Sequence, residues 1–296
     1  MRLLLVLLGI VTASWVSAVE MSALESRFNE YYAKVRQVDA TSAQRASKEA
    51  VALFDRYFAD TSSPDYVERA SPESLHFLLR ASSAKNFYTQ DTGDISIMRL
   101  ALARLESLGA DKRIDWESLY LSLILTRQFE EATRLQEARP EWLSALPAIK
   151  RPDRKAANGA VLWRVDMSAN ALVLKSRALP QGEYLVIVAH PACQFSRAAM
   201  LAFESDSKLR GLPVIWLVPP DRNLAFDLIG NWNAAHPEVQ LLLADQASQW
   251  DIDDWSTPSF YLMKGGSRIR YRAGWSLDGS DKDAVLELVQ SAPVDL

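Results

Sequence analysis

The chain has 296 residues, 49% of them hydrophobic and 24% charged, with a net charge of −4. That length suits two domains of ordinary size, and the composition is that of a folded globular protein and not of a disordered or fibrous one. The acidic balance leaves no basic footprint for nucleic acid, and a single cysteine, Cys193, forbids an internal disulfide.

Residues 1–18 read as a signal peptide. Arg2 supplies the positive end, residues 3–16 the apolar stretch, and Val16-Ser17-Ala18 the small residues of a cleavage site. No cysteine follows to take a lipid. No later stretch reaches the ~18 consecutive apolar residues of a membrane span. The expected product is therefore exported, soluble after cleavage and without an integral span, and a leader this short suits a bacterial periplasm. In an oxidising compartment an idle exposed thiol is a liability, which favours a use for Cys193.

Residues 19–146 read as an all-α domain. Leu24, Phe28, Tyr31, Tyr32, Val35 and Val38 recur at helical spacing. Thr41 or Ser42 caps a second helix carrying Phe54, Tyr57 and Phe58. Ser71-Pro72 is an N-cap followed by proline at the first helical position, and Thr92 or Asp94 opens a helix that Gly109 ends. A pair spanning 114–127 and 129–138 follows, closed by Pro140. Within it Trp116, Leu119, Leu123, Phe129 and Ala132 are spaced as in a tetratricopeptide-like unit, although Tyr120 stands where a small residue belongs and no second copy is evident. The expectation is a helical-hairpin array, serving either as a groove for a protein partner or as a cap packed on the second domain. His76 lies on an apolar helix face and is expected to be packed there. With three histidines (His76, His190, His236) and no His/Cys/Asp/Glu group at ligand spacing, neither a metal site nor a cofactor is expected.

Residues 147–159, with Pro147, Pro152, Lys150, Arg151, Arg154 and Lys155, read as a linker. From residue 160 to 296 the pattern is α/β. Residues 160–166 and 171–175 form a hairpin. Residues 184–189 are a buried strand, apolar without alternation, and the helix after Cys193 runs toward Leu209. A strand over 212–218, a helix over 224–235 and a strand over 238–244 follow. A strand over 260–263, a turn at Gly265-Gly266, a strand over 268–273 and a helix over 281–290 close the chain. This order predicts a mixed sheet with helices on both faces.

Three features of this half carry a resemblance. Cys193 sits between a strand and a helix, Thr257-Pro258 stands just before a strand, and residues 260–275 have the pattern of a closing hairpin. Together they resemble the thioredoxin fold, nearest its exported, periplasmic thioredoxin-like class. The resemblance implies a cis bond at Pro258 and a substrate surface of Thr257, Pro258 and Trp255 beside a reactive Cys193. The chain departs from the family's dithiol motif. The second cysteine is Ser196, the aromatic residue before the first is Ala192, and residues 185–189 hold no carboxylate. The motif is Cys-x-x-Ser.

A cysteine at a helix N-terminus favours thiolate over thiol, and a thiolate can attack a disulfide to form a mixed disulfide. Ser196 cannot resolve that bond but can donate a hydrogen bond to the sulfur. His190, three residues earlier, is a candidate counter-ion or proton relay. Arg197 reads as a solvated first-turn residue. The expected activity is monothiol exchange with a client protein or a low-molecular-weight thiol, as an oxidoreductase or isomerase. The alternative is a non-catalytic adaptor in which a redox-dead thioredoxin fold and the helical domain bind a protein partner.

Overall fold

A computed structural model describes residues 24–39, 42–151 and 159–290. The segment read as a leader, the cap candidate Thr41, and Pro152, Arg154 and Lys155 of the linker lie outside the described residues. The protein combines helices with a mixed eight-stranded sheet, an α+β composition. Among the described residues no helix is long and apolar enough to cross a membrane.

Backbone proximity divides the chain into two compact units. The first holds the described residues up to 39, Gln44–Leu123 and Leu135–Ser144; the second holds Ser42, Ala43, Ile124–Arg134 and the described residues from Ala145. Residues 124–134 therefore group with the sheet and not with the helices, against an unbroken helical stretch to 146. The cause lies in side chains inside that segment. Phe129 meets the ring of Trp163 edge-on with centroids 5.0 Å apart, Glu130 pairs with Arg151, and the buried Arg127 donates from Nε to the Ala244 carbonyl at 3.1 Å.

In the first unit, helix α1 covers residues 24–35, followed by α2 (Ala43–Phe58), α3 (Pro64–Arg69), α4 (Pro72–Thr89), α5 (Thr92–Ser107) and α6 (Arg113–Leu125), with α7 (Phe129–Ala138) reaching into it. The capping chemistry is local. Ser63 and Ser71 accept the amides of Tyr66 and Ser74, each ahead of a proline at the first helical position. Asp91, not Thr92 or Asp94, caps α5 by accepting the amide of Gly93 at 2.8 Å. The α1 and α2 core is aromatic: Tyr31 stands edge-on to Phe54 and Phe58 and donates its hydroxyl to the Ala81 carbonyl. His76 is buried on α4, as its apolar surroundings require, and pairs with the fully buried Asp115, Nδ1 to Oδ2 2.9 Å.

The second unit carries β1 (Ala148–Lys150), β2 (Ala160–Asp166), β3 (Ala171–Arg177), β4 (Glu183–Val188), α8 (Gln194–Ser205), α9 (Ser207–Arg210), β5 (Val214–Val218), α10 (Phe226–Ala235), β6 (Leu241–Ala244), β7 (Ser259–Lys264), β8 (Ser267–Ala273) and α11 (Lys282–Gln290). The sheet order is β1-β3-β2-β6-β5-β4-β7-β8. Strands β4, β5 and β6 are parallel to one another, and β7 is antiparallel to β4 and β8. Two expectations change here. The stretch read as a linker contains β1, an edge strand paired in parallel with β3 through Ala148↔Ala171. The helix after Cys193 breaks at Asp206, whose carboxylate turns to accept the amides of Lys208 and Leu209 and so starts α9 instead of extending α8.

Strand β4 lies between β5 and β7, and its residues Tyr184 to Val188 are all buried. Alternation sends Tyr184, Val186 and Val188 to one face, where Ile215, Leu217, Tyr261, Met263 and Trp250 form a core. On β5 and β7, Trp216 and Phe260 have the opposite phase and gather Phe203 and Trp275 into an aromatic cluster. At ~1.5–3 kcal/mol for each fully buried large apolar side chain, these two faces hold the sheet rigid around the loop that follows β4.

Candidate functional site

Cys193 is the N-cap of α8, with φ −80° and ψ 120°, and its side chain makes no capping hydrogen bond. The His190 carbonyl accepts the Cys193 amide at 2.9 Å, and the Cys193 carbonyl accepts the Arg197 amide at 3.0 Å as the helix begins. The tight loop Pro191-Ala192 thus presents the sulfur ahead of unpaired amides of the first helical turn. Cys193 as a residue is half-buried. Its thiol donates to the Thr257 carbonyl at 3.2 Å, and the Thr257–Pro258 bond is cis. Residues far apart in sequence therefore meet at one point: Cys193 from the end of β4, Thr257 and Pro258 from the start of β7.

Burial pushes the Cys193 thiol up. The amide and hydroxyl of Ser196, the Thr257 side chain and the amide of Phe195 favour the thiolate by more, and the thiol stands below its ordinary value. The two protonation states have different partners. The thiol donates to the Thr257 carbonyl; the thiolate cannot donate, and takes the N–H and O–H donors instead.

Ser196 is fully buried. Its Oγ accepts the His190 amide at 3.3 Å, which occupies a lone pair and leaves the hydroxyl proton free to face the sulfur. His190 Nδ1 accepts the Ala192 amide at 3.1 Å, so the ring is a neutral imidazole with its proton on Nε2. Burial lowers its pKa, opposed by the charge of Asp221. A neutral ring is no counter-ion for a thiolate, and no hydrogen bond joins it to the sulfur among the described residues; its observed contact braces the loop. Arg197 donates from Nη1 to the Pro191 carbonyl at 2.8 Å and braces the same loop. Trp255 is partly buried against the core face that holds Tyr184 and Tyr261. Phe195, one helical step beyond the sulfur, is 40% exposed.

The residue that sequence reasoning missed is Asp254. It is 7% exposed and shapes the loop ahead of Pro258. Its Oδ1 accepts the Ser256 amide at 2.8 Å, Oδ2 accepts the Tyr271 hydroxyl, and its carbonyl accepts the Tyr261 hydroxyl at 2.7 Å. The Pro258 carbonyl in turn accepts the Gly274 amide at 2.9 Å. The signal in the sequence is Asp254-Trp255-Ser256, an Asx-turn spacing just before a threonine-proline pair. The Tyr271 contact, made across 17 residues, has no local signal.

Among the described residues no cluster of three His, Cys, Asp or Glu side chains is arranged to hold a metal ion. The chain matches no family model, no curated protein and no solved structure.

Proposed function

We propose that this chain is an exported thioredoxin-like protein that engages protein or small-molecule thiols and disulfides through Cys193 alone. The observation that carries this reading is the meeting of a thiolate-favouring Cys193 with the Thr257-Pro258 loop, sulfur to Thr257 carbonyl 3.2 Å. The order strand, cysteine, helix, then a cis proline before an antiparallel strand agrees with the thioredoxin-like reading.

The chemistry runs in two exchanges. The Cys193 thiolate attacks one sulfur of a client disulfide; a Cys193–client disulfide forms and the other client sulfur leaves as thiolate. Ser196 cannot break that bond. A second thiolate, the client's own or a low-molecular-weight thiol, attacks it and releases Cys193 as thiolate. The first route isomerises a client disulfide; the second leaves the client sulfur in a mixed disulfide with the small thiol, which a second equivalent of that thiol breaks, releasing the small-molecule disulfide and the reduced client. In this reading the half-buried Thr257 offers its backbone beside the sulfur to an extended client segment, with the buried Pro258 behind it.

The test is alkylation of Cys193 against pH, paired with trapping of mixed disulfides in the exporting cell. The expected midpoint lies below the free-thiol value of ~8.5, and the trapped adducts vanish in Cys193→Ala. A midpoint at or above that value, with no adducts, would instead establish the competing reading, an adaptor with an inert thiol. N-terminal sequencing of the exported chain tests the leader: the first residue expected is Val19.

A further inference from the structure

The turn between β2 and β3 opens on Met167, the first residue of a short 3-10 helix over Met167–Ala169. As a residue Met167 is 41% exposed, whereas Met98, Met200 and Met263 are each 0% exposed; Met1 and Met21 lie outside the described residues. Mild two-electron oxidants convert a thioether to a sulfoxide, which is polar where the thioether was apolar. Exposure therefore singles out Met167 among the described methionines.

The thioether also has a built seat. Gly230 is buried near the middle of α10, and a Cβ added there would stand 2.1 Å from Met167 Sδ and 2.4 Å from its Cγ. Val165 Cγ1 lies 3.1 Å from the same point. Glycine is a poor residue for a helix interior, and here its missing side chain is the space that the Met167 thioether fills. The turn is fixed by Asp166, which accepts the Ser168 hydroxyl at 2.7 Å and the Ala169 amide at 3.2 Å, and so holds Met167 over the helix. An oxygen added to Sδ enlarges and polarises the side chain in this notch, and the Val165 methyl on its wall has no hydrogen bond to donate.

We propose that Met167 is an oxidation site through which hydrogen peroxide loosens α10 from the β2–β3 turn. The sulfur attacks one peroxide oxygen: the S–O bond forms, the O–O bond breaks, the thioether is oxidised by two electrons and the other oxygen leaves as water. The step uses no thiol and is independent of the exchange chemistry at Cys193.

The test exposes the full chain to hydrogen peroxide, in a Cys193→Ala background that removes the competing thiol, and follows it by peptide mass mapping and hydrogen exchange. Met167 should gain one oxygen while Met98, Met200 and Met263 stay unmodified in the folded protein. Amides of α10 should then exchange about tenfold faster, the response expected when a polar group is desolvated without gaining a partner. Reduction by methionine sulfoxide reductases, with a dithiol as reductant that ends as a disulfide, should restore slow exchange. Met167→Leu keeps an apolar side chain of similar size without an oxidisable sulfur, and peroxide should leave its α10 unchanged. Gly230→Ala puts a methyl group where the sulfur sits, and peroxide should then alter α10 exchange by less than about twofold. Oxidation of a buried methionine as fast as Met167, full oxidation of Met167 with unchanged α10 exchange, or the same rise in Met167→Leu or Gly230→Ala would each overturn the proposal.

Discussion

Two regions of the sheet unit treat polar groups in opposite ways. Around Cys193 the loops are tied down: Ser196 accepts the His190 amide, His190 accepts the Ala192 amide, Arg197 donates to the Pro191 carbonyl, and Asp254 gathers the Ser256 amide and the Tyr271 hydroxyl. Around Tyr184 and Trp250, in the core, two buried donors have no acceptor among the described residues. The first arrangement fixes a reactive atom against a second loop. The second leaves two donors idle within the core. In a fold whose net stability is only ~5–15 kcal/mol, an engaged polar group and an idle one respond differently to removal, and that difference can be measured.

The largest effect is expected at Asp254. Asp254→Ala strands the Ser256 amide and the Tyr271 hydroxyl in a buried setting and should cost about 2–4 kcal/mol in denaturant unfolding. It should also slow alkylation of Cys193, because Thr257 loses its anchor. A loss under about 0.5 kcal/mol, with alkylation unchanged, would show that the loop is held by other means. Ser196→Ala comes next. It deprives the His190 amide of its acceptor, at about 1–2 kcal/mol, and removes a donor from the thiolate, so alkylation near neutral pH should fall several-fold. Unchanged alkylation would mean that the Ser196 hydroxyl does not face the sulfur.

A smaller effect appears in the pH dependence of stability. The folded thiol stands below its ordinary value, so the folded state binds the proton more weakly than the unfolded one. The resulting stabilisation is complete above the ordinary value of ~8.5 and is lost as pH falls through the folded value. Unfolding of wild type and Cys193→Ala between neutral pH and pH 9.5 should diverge in that window, with the wild type gaining as pH rises. Parallel curves would contradict the depressed thiol.

The same contrast explains what the chain's pattern made legible. Cys193, Ser196 and Pro258 could be found because each sits at a strand end or a turn, where residue type and local spacing carry the information. The buried strand at 184–189 was readable from its unbroken apolar run, and its observed bounds, Glu183–Val188, differ by one residue at each end. The strand over 238–244 contracts to Leu241–Ala244, since the Val239 amide is used by a turn back to the His236 carbonyl. What local pattern could not show were ties made across long stretches of chain: Tyr271 to Asp254, Arg127 to the Ala244 carbonyl, and β1 on the edge of the sheet in a stretch rich in proline and basic residues. The sequence leaves His190 open as counter-ion or proton relay, because the Ala192 amide that fixes its tautomer is a property of the folded loop. Tyr184 and Trp250 are the extreme case, since an idle donor leaves no mark on a sequence.

The smallest expected change is the sharpest test of the comparison. Tyr184→Phe deletes one oxygen from a residue that is 1% exposed. If that hydroxyl were engaged, its removal would cost about what Ser196→Ala does, roughly 1–2 kcal/mol, since a partner would be left bare. An unengaged hydroxyl is itself the liability, and exchanging it for a hydrogen of similar shape removes a desolvated polar group while keeping the ring in the core with Val186 and Met263. Unfolding should therefore be unchanged or shifted toward higher stability, by no more than about 1 kcal/mol. A loss of more than about 1 kcal/mol would mean that Tyr184 has a partner after all, and the two regions would then no longer differ.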